Sequence, residues 1–168
     1  MNIFNQTCLK GVKLIRPLTN FEDFRGNYVE IYNQQAFKAN GFAKRFVQDD
    51  VSISKKNVLR GIHGDDKTWK LVSCLHGAFY IIVVNNDSNS EEFGKWQGFT
   101  LSEYNKLSLL IPPKFGNGHL VLTEKAVFYY KQTTYYGDNQ QFTIKWNDPK
   151  FDFFWPCKDN IILSTRDY

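Results

Sequence analysis

Residues 57–71 read NVLRGIHGDDKTWKL, and this stretch joins a β-strand pattern to a cluster of side chains suited to chemistry. Its aliphatic residues, which favour a strand with one face on a core, are Val58, Leu59 and Ile62. Among and after them come a fixed cation, Arg60, a proton carrier near neutral pH, His63, and a second cation, Lys70. The stretch predicts a strand that ends in a binding or catalytic site, although a structural histidine at a strand end fits the same residues.

The size and composition of the chain predict one β-rich domain, residues 1–168. The 168 residues suffice for a single sizeable core, and no composition shift or repeat marks a boundary. Aromatic residues make up 17%, which favours sheet over helix. The net charge of +4 comes from interspersed cations and anions. This pattern does not indicate nucleic-acid binding, whereas a small anionic ligand fits it.

The cysteines and the apolar runs bear on the compartment. Cys8, Cys74 and Cys157 lack the paired spacing of a zinc site or a disulfide framework, so we expect free thiols in a reducing compartment. The N-terminal residues lack the pattern of a signal peptide. The longest apolar run, Phe79 to Val84, is far shorter than the roughly eighteen residues of a membrane-spanning helix. These features predict a cytoplasmic protein.

Turn residues recur about every ten positions, with short apolar or alternating runs between them, as is typical of an all-β sandwich or barrel. The best helix is 33–40, with Asn33 as its cap and Gly41 after its end. The predicted strands are 12–16, 27–32, 45–52, 58–62, 69–75, 78–84, 96–101, 108–111, 119–122, 126–133 and 142–145.

Some predicted strands carry polar side chains among apolar ones. Small barrels bind ligands in their mouth or interior, so an inward-facing polar side chain in a strand is a candidate ligand contact. An outward-facing one is merely solvated, and the sequence leaves the two readings open for each residue. These residues are Glu30, Gln48, Asp50, Arg60 and Lys70.

Longer blocks of the sequence follow a known order. They read FEDFRGNYVE from Phe21, FVQDDVSISKKNVLRGIH from Phe46, WKLVSCLHG from Trp69, LIPPKFGNGH from Leu110, YYKQTTYY from Tyr129 and ILSTRD from Ile162. Over about residues 14–167 the chain resembles the nucleotide-sugar 3,5-epimerases typified by dTDP-4-dehydrorhamnose 3,5-epimerase. The resemblance implies a cupin-type double-stranded β-helix, or jelly roll, with one or two short helices. It also implies that the protein needs no metal or other cofactor and forms a homodimer.

The chemistry of that family accounts for the residue types. A 4-keto sugar acidifies the hydrogens on C3 and C5, so a base removes one, an enolate forms and a proton returns from the opposite face. By resemblance, His63 is the base, and Asp167 orients its ring and favours its protonated form. Tyr130 is the acid, with Tyr129 as the alternative. Lys70 stabilises the charge of the enolate.

The resemblance also assigns a set of contacts to the nucleotide, the phosphates or the sugar. Arginine suits the diphosphate because its guanidinium forms paired hydrogen bonds with phosphate oxygens. The expected substrate-binding residues are Arg25, Glu30, Gln48, Asp50, Arg60, Asn117, Gln141 and Arg166.

The chain departs from the family pattern at two places near the site. The loop after His63 is short, and the family's GFAHGF is replaced by KFGNGH. Asn117 therefore stands where a second active-site histidine is expected, and His119 lies two positions later. These departures resemble the subgroup that acts on GDP-linked 4-keto-6-deoxy-heptoses for capsule building, and we expect that substrate rather than a dTDP-linked hexose.

Three other functions compete with the epimerase prediction. A metal-dependent cupin would require an H-x-H motif, which the sequence lacks. A 3,4-ketoisomerase acting on the same substrate class would require a histidine-rich segment in place of RGIHGDD. A non-catalytic sugar-nucleotide binding module would not require His63 and Tyr130. Whether one or both of C3 and C5 are inverted does not follow from the sequence.

Overall fold

The computed structural model describes residues 2–17 and 19–168 of the chain. The single-domain prediction covers residues 1–168, of which Met1 and Leu18 lie outside the described residues. One short helix, α1, spans Gln34–Ala39. The strands of the described ranges are β1 Phe4–Gln6, β2 Lys13–Ile15, β3 Thr19–Asp23, β4 Gly26–Glu30, β5 Gln48–Lys55, β6 Leu59–Gly64, β7 Lys70–His76, β8 Ala78–Asn85, β9 Trp96–Ser102, β10 Ser108–Ile111, β11 Phe115–Val121, β12 Lys125–Gln132 and β13 Phe142–Thr143.

Two antiparallel sheets build the body of the protein. The six-stranded sheet has the order β1-β2-β10-β7-β12-β5, and the five-stranded sheet has the order β13-β6-β11-β8-β9. Sequence neighbours such as β6 and β7 lie in different sheets, so the chain crosses repeatedly between them. This arrangement confirms the all-β jelly-roll prediction. Strands β3 and β4 form a separate two-stranded hairpin.

The strand predictions differ from the structure mainly at the N-terminal end. Strands β1 and β3 were not predicted, because β1 has only three residues and β3 is mostly exposed, so neither shows a clear apolar alternation. The predicted strand 45–52 is displaced to β5, and the predicted strand 119–122 begins earlier as β11. Both differences reflect pairing with neighbouring strands, which extends a strand beyond its apolar residues.

The helix prediction is confirmed with its capping residues. The side chain of Asn33 accepts hydrogen bonds from the backbone N–H groups of Gln35 and Ala36, at 3.0 and 3.1 Å. Gly41 follows the helix at a φ of 92°, a conformation that glycine adopts without strain. Phe37 is fully buried on the inner face of the helix, so the helix covers one end of the six-stranded sheet.

The core of the described residues has three parts, of which two lie on the two faces of the five-stranded sheet and the third packs around Phe37 of α1. Between the sheets pack residues such as Val72, Phe79 and Leu109. On the other face of the five-stranded sheet, Ile62 and Ile82 pack with Trp155 of the C-terminal segment. A strand that is buried on both faces needs apolar side chains at successive positions. This burial explains the continuous apolar run of β8.

The described residues also bear on the cysteines and on membrane insertion. Cys8, Cys74 and Cys157 are free, as the sequence predicts. Burial raises the pKa of the Cys74 thiol to about 12, so it stays protonated at neutral pH. None of the helices in the described ranges is long and apolar enough to cross a membrane.

Candidate active site

A cavity of about 300 Å³ opens between the two sheets. Strands β6 and β11 of one sheet and β5, β7 and β12 of the other contribute to it, together with the C-terminal segment. It contains most of the residues that the sequence predicts as functional. The residues that line it are Ser52, Arg60, His63, Lys70, Asn117, His119, Phe128, Tyr130, Gln132, Tyr136, Gln141, Ser164, Arg166 and Asp167.

His63 and Asp167 form a close pair at the wall of the cavity. The Nε2 atom of His63 lies 2.7 Å from Oδ1 of Asp167. The two atoms are close enough for an ion pair, which forms only when His63 is protonated. Asp167 is only 4% exposed, and its Oδ2 accepts a hydrogen bond of 2.8 Å from the hydroxyl of Ser164. The carboxylate is therefore fixed by the short C-terminal turn and can orient the His63 ring.

The surroundings of His63 favour its neutral form. Burial is the largest cause that lowers the pKa of His63 below its ordinary value of 6.5, and the positive charge of Arg166 lowers it further. The Asp167 carboxylate raises the pKa, as the sequence predicts, but it does not outweigh the other effects. At neutral pH, His63 is therefore an imidazole that can accept a proton.

An irregularity between β6 and β11 brings Arg60 and His63 to the same cavity. Residues alternate between the two faces of a regular strand, so positions 60 and 63 would point to opposite sides. Here Asn117 pairs with His63 and His119 pairs with Arg60, so the register shifts between the two pairs. Three steps along β6 thus match two steps along β11, which is the pattern of a β-bulge.

Glycines permit the close approach of these two strands. A Cβ atom at Gly61 would lie 2.7 Å from the backbone oxygen of Asn117, and the φ of Gly61 is 107°. A Cβ atom at Gly118 would lie 2.8 Å from the side chain of Ile62. Both positions require glycine, since any larger residue would push the strands apart. The Arg-Gly pair next to His63 therefore shapes the cavity wall.

Tyr130 and Lys70 face the cavity from the six-stranded sheet. Burial and the nearby carboxylate of Asp50 raise the pKa of Tyr130 to about 12, so the phenol keeps its proton at neutral pH. Burial lowers the pKa of Lys70, and the carboxylate of Asp65 opposes this change. Tyr129, the alternative acid, points to the outer face, where its hydroxyl lies 3.1 Å from Asp49.

The short loop after His63 is held by Asp65. Its Oδ1 accepts hydrogen bonds from the backbone N–H groups of Lys67 and Thr68, at 2.9 and 2.7 Å. Asp65 is 5% exposed. This carboxylate fixes the turn that leads from His63 to Lys70, so the shortened loop has a structural basis within the chain.

Gln48 and Asp50 do not line the cavity themselves. Oδ2 of Asp50 accepts hydrogen bonds from the side-chain amides of Gln48 and Gln132, at 2.9 and 2.7 Å. The Oε1 atom of Gln48 accepts a bond of 2.8 Å from the backbone N–H of Tyr136. Gln132 and Tyr136 line the cavity, so the predicted residues Gln48 and Asp50 support the lining residues.

Arg25 and Glu30 lie on the β3–β4 hairpin and do not line this cavity. The guanidinium of Arg25 forms an exposed ion pair of 2.6 Å with Asp23. Glu30 accepts a hydrogen bond of 2.6 Å from Asn33. Within one chain, therefore, the structure does not bring these two predicted substrate contacts to His63.

The remaining predicted residues lie in the cavity with an excess of positive charge. Arg60, Lys70 and Arg166 are cations, and Asp167 is the only carboxylate among the lining residues. Arg166 donates a hydrogen bond of 2.7 Å to Oε1 of Gln141. A cleft with one dominant sign of charge attracts a ligand of the opposite sign.

Several lining residues were not predicted. Phe128 and Gln132 lie two positions on either side of Tyr130, so strand alternation could have identified them. Ser52 lies two positions after Asp50 in the same strand, so the same alternation could have identified it. In the sequence, His119 stands out only for its displaced position. Tyr136 and Ser164 lie within the blocks YYKQTTYY and ILSTRD, but the sequence assigns them no role. In residues 2–17 and 19–168, no group of three or more His, Cys, Asp or Glu side chains could hold a metal ion.

Comparisons with known proteins decide the family. The family profile described as dTDP-4-dehydrorhamnose 3,5-epimerase matches residues 6–168. The chain is 43% identical to the dTDP-4-dehydrorhamnose 3,5-epimerase of Escherichia coli strain K12 over 171 residues, which cover 99% of this chain and 91% of that protein. This chain belongs to the dTDP-4-dehydrorhamnose 3,5-epimerase family. As a member of this family, it is an isomerase of the class that acts on sugar nucleotides.

Solved structures of the family share the fold. The dTDP-4-dehydrorhamnose 3,5-epimerase of Elizabethkingia anophelis is 40% identical with a TM-score of 0.88, covering 98% of this chain and 92% of that chain. The dTDP-6-deoxy-D-glucose-3,5-epimerase of Legionella pneumophila, in complex with dTDP-4-keto-L-rhamnose, is 36% identical with a TM-score of 0.92. The match to the Legionella pneumophila structure covers 98% of this chain and 88% of that chain. The cupin jelly-roll prediction is confirmed.

The family corrects the expected nucleotide. The short loop and Asn117 led to the expectation of a GDP-linked heptose, but the relatives described above carry dTDP in their names. The structure gives a physical reason for the error. The loop is fixed internally by Asp65, and Asn117 pairs with His63 across two strands, so both departures have a structural basis within the chain. The preference for a GDP-linked heptose over a dTDP-linked hexose is therefore not supported.

Proposed function

We propose that this enzyme inverts both C3 and C5 of a dTDP-linked 4-keto-6-deoxyhexose through an enolate, without a metal ion. One observation carries the proposal. One cavity contains the His63–Asp167 pair on one wall and Tyr130 and Lys70 on the other. Among its lining residues, Asp167 is the only carboxylate. This arrangement supplies a base, an acid and a cation for the same sugar ring.

The base and the acid come from different sheets. Inversion at a carbon requires that the proton leaves from one face of the ring and that another returns to the opposite face. His63 lies on β6 of the five-stranded sheet, and Tyr130 lies on β12 of the six-stranded sheet. Neutral His63 would accept the proton, and Tyr130 would donate one, since its pKa of about 12 keeps the phenol protonated.

The cations of the cavity suit the charge that develops. Lys70 would stabilise the negative C4 oxygen of the enolate, where a preorganised cation in a water-poor site is most effective. Asp167 would act as a positioning residue, since its contact is with the His63 ring. Arg60 and Arg166 would hold the diphosphate, with Asn117 and Gln141 on the sugar or nucleotide.

The protein would act as a homodimer, as the family resemblance implies. The β3–β4 hairpin exposes Phe21, Phe24 and Tyr28, with exposed fractions of 68%, 98% and 69%. The outer strand β5 also exposes Val51 and Ile53. An isolated two-stranded hairpin is marginally stable in water, and clustered exposed apolar residues favour a partner surface. A second copy that covers these residues would also give Arg25 and Glu30 access to a substrate.

The reaction belongs to deoxy-sugar biosynthesis, and a role in capsule or other surface-polysaccharide synthesis stays a prediction. Two alternative functions give different products. A 3,4-ketoisomerase would move the carbonyl from C4 to C3, and a binding module would bind the nucleotide sugar without proton exchange. The histidine-poor segment RGIHGDD and the complete set of His63, Tyr130, Lys70 and Asp167 disfavour both.

The test is incubation with a dTDP-linked 4-keto-6-deoxyhexose in heavy water, followed by mass spectrometry and NMR. We expect two deuterium atoms, at C3 and C5, with inverted configuration at both. Deuterium at C3 alone would identify a 3-epimerase, and a 3-keto product would identify an isomerase. Binding by calorimetry without deuterium incorporation would contradict the catalytic proposal. The GDP-linked counterpart serves as the nucleotide control, and we expect it to react more slowly.

A further inference from the structure

His119 is a buried histidine with a ring nitrogen that lacks a hydrogen-bond partner. It is 4% exposed, and its ring stacks on Phe128 with a centroid distance of 4.2 Å and an interplanar angle of 11°. Phe79 lies on another side, at 5.1 Å. Nevertheless, the Nε2 atom of His119 is buried without a hydrogen-bond partner, and the residue lines the active-site cavity.

Packing alone does not explain a histidine at this position. A phenylalanine would stack on the same rings without burying a polar nitrogen. Buried polar atoms without a partner are rare in proteins because each loses its hydrogen bonds to water. The Nε2 atom is therefore available for a hydrogen bond with a molecule that enters the cavity.

Two further unpartnered atoms belong to residues that line the same cavity as His119. Ser52 pairs with Phe128 across β5 and β12, and its Oγ atom is buried without a partner. Asn117 lies two positions before His119 and therefore on the same face of β11. Its Oδ1 atom is also buried without a partner. Ser52, Asn117 and His119 all line the same cavity, and we refer to them as the polar floor.

The chemistry of the polar floor suits a neutral ligand group. Burial, together with the positive charge of Arg60, lowers the pKa of His119 to about 3. His119 is therefore a neutral hydrogen-bonding group at physiological pH and not a proton carrier. The amide oxygen of Asn117 accepts a hydrogen bond, and the hydroxyl of Ser52 both donates and accepts. A hydroxyl group, which also donates and accepts, complements this combination.

We propose that the polar floor binds a hydroxyl group of the substrate's sugar and that His119 is a specificity-determining residue of the enzyme. The inference rests on the proposed function, because it places the sugar rather than the nucleotide against β11. Lys70 is proposed for the enolate, and Arg60 and Arg166 for the diphosphate. The polar floor would therefore bind a neutral, hydroxylated face of the sugar in preference to an apolar one. A site with buried polar groups discriminates strongly against a ligand that leaves them unpaired.

The decisive variant is His119→Phe, which keeps the stacking on Phe128 and removes the nitrogen atoms. With a dTDP-linked 4-keto-6-deoxyhexose, we expect kcat/KM to fall about tenfold, mainly through KM, as for the loss of one hydrogen bond in a buried site. The affinity for dTDP alone should stay within about twofold of wild type. The Tm should stay equal or rise, because the variant no longer buries an unpaired nitrogen.

Two further variants separate binding from packing. His119→Gln restores a hydrogen-bonding side chain, and we expect it to recover part of the lost kcat/KM at a lower Tm. Phe79→Leu disturbs the packing around the His119 ring without removing a polar atom. We expect this control to lower the Tm and to leave KM near its wild-type value.

Each alternative gives a distinct result. An unchanged kcat/KM in His119→Phe would overturn the proposal, and so would a parallel loss of Tm and activity, which is the signature of a structural residue. Weaker binding of dTDP alone would assign the polar floor to the nucleotide. If the wild-type enzyme shows no turnover, the proposed function fails, but the floor is still testable. Calorimetry of dTDP-glucose against dTDP should then show a sugar contribution to affinity that His119→Phe removes.

Discussion

The active-site cavity and the β3–β4 hairpin both contain charged residues within aromatic sequence, yet they use them differently. In the cavity, residues as distant in sequence as His63 and Asp167 approach to 2.7 Å. In the hairpin, Arg25 pairs with Asp23, two positions away, and Phe24 is 98% exposed. The contrast shows that enclosure between two sheets, rather than residue type, creates the functional environment.

The pKa values of the two regions also differ because the cavity is enclosed and the hairpin is exposed. In the cavity, burial lowers the pKa of His63 and raises that of Tyr130. In the hairpin, the pKa of Arg25 is raised by its hydrogen bond with Asp23, and the pair stays in solvent. An exposed ion pair of this kind contributes little to stability. We therefore expect substitutions of His63 and Tyr130 to affect the chemistry, and substitution of Arg25 to affect substrate affinity.

The largest expected effect is that of His63→Asn. Removal of a general base typically costs about 10²–10⁴-fold in rate, so deuterium exchange at C3 and C5 should be nearly abolished. Calorimetric binding of the nucleotide sugar should change little. The matched control is His76→Asn, since His76 is an exposed histidine that contacts Glu103 at 3.3 Å outside the cavity. Retained exchange in His63→Asn would refute its role as the base.

Tyr130→Phe should have the second-largest effect. Because Tyr130 is proposed to return the proton, product formation should slow about a hundredfold while exchange of the substrate hydrogens slows less. Tyr129→Phe is the control, because Tyr129 lies next to it but faces Asp49 on the outer surface. Equal loss of exchange and product formation would contradict the role of Tyr130 as the acid.

Arg25→Ala tests the hairpin side of the comparison. If a second copy of the chain brings Arg25 to a substrate phosphate, KM should rise about tenfold, as for one charge-assisted hydrogen bond, with kcat unchanged. The exposed residue Arg45 provides the control Arg45→Ala. An unchanged KM would mean that the hairpin reaches no substrate. A large fall in kcat would show that it takes part in the chemistry.

The smallest effect is expected from Arg166→Gln on the pH profile. His63 must be neutral to act, so kcat/KM should fall as the pH drops through its pKa, which lies below 6.5. Arg166 lowers that pKa, and its removal should move the acid limb to higher pH. Arg16→Gln, an exposed arginine outside the cavity, should leave the limb in place. A shift to lower pH in Arg166→Gln would contradict the electrostatic account.

The sequence by itself determined the β-rich class, the helix capped by Asn33 and most of the strands. These features follow from local patterns, namely alternation, turn residues and capping side chains, which need no knowledge of distant residues. The ordered sequence blocks determined the family and hence the residues to inspect. The expectation of a GDP-linked substrate failed. It depended on the short loop and on Asn117, and both take part in contacts within the cavity wall.

Only the tertiary structure decided how these residues meet. The bulge opposite Asn117 turns Arg60 and His63 to one side, which strand alternation would forbid. The packing of the two sheets places Tyr130 rather than Tyr129 at the cavity. It also buries the Nε2 atom of His119 without a hydrogen-bond partner. Facing, burial and electrostatic environment depend on contacts between residues far apart in the chain, and those contacts exist only after the two sheets have packed.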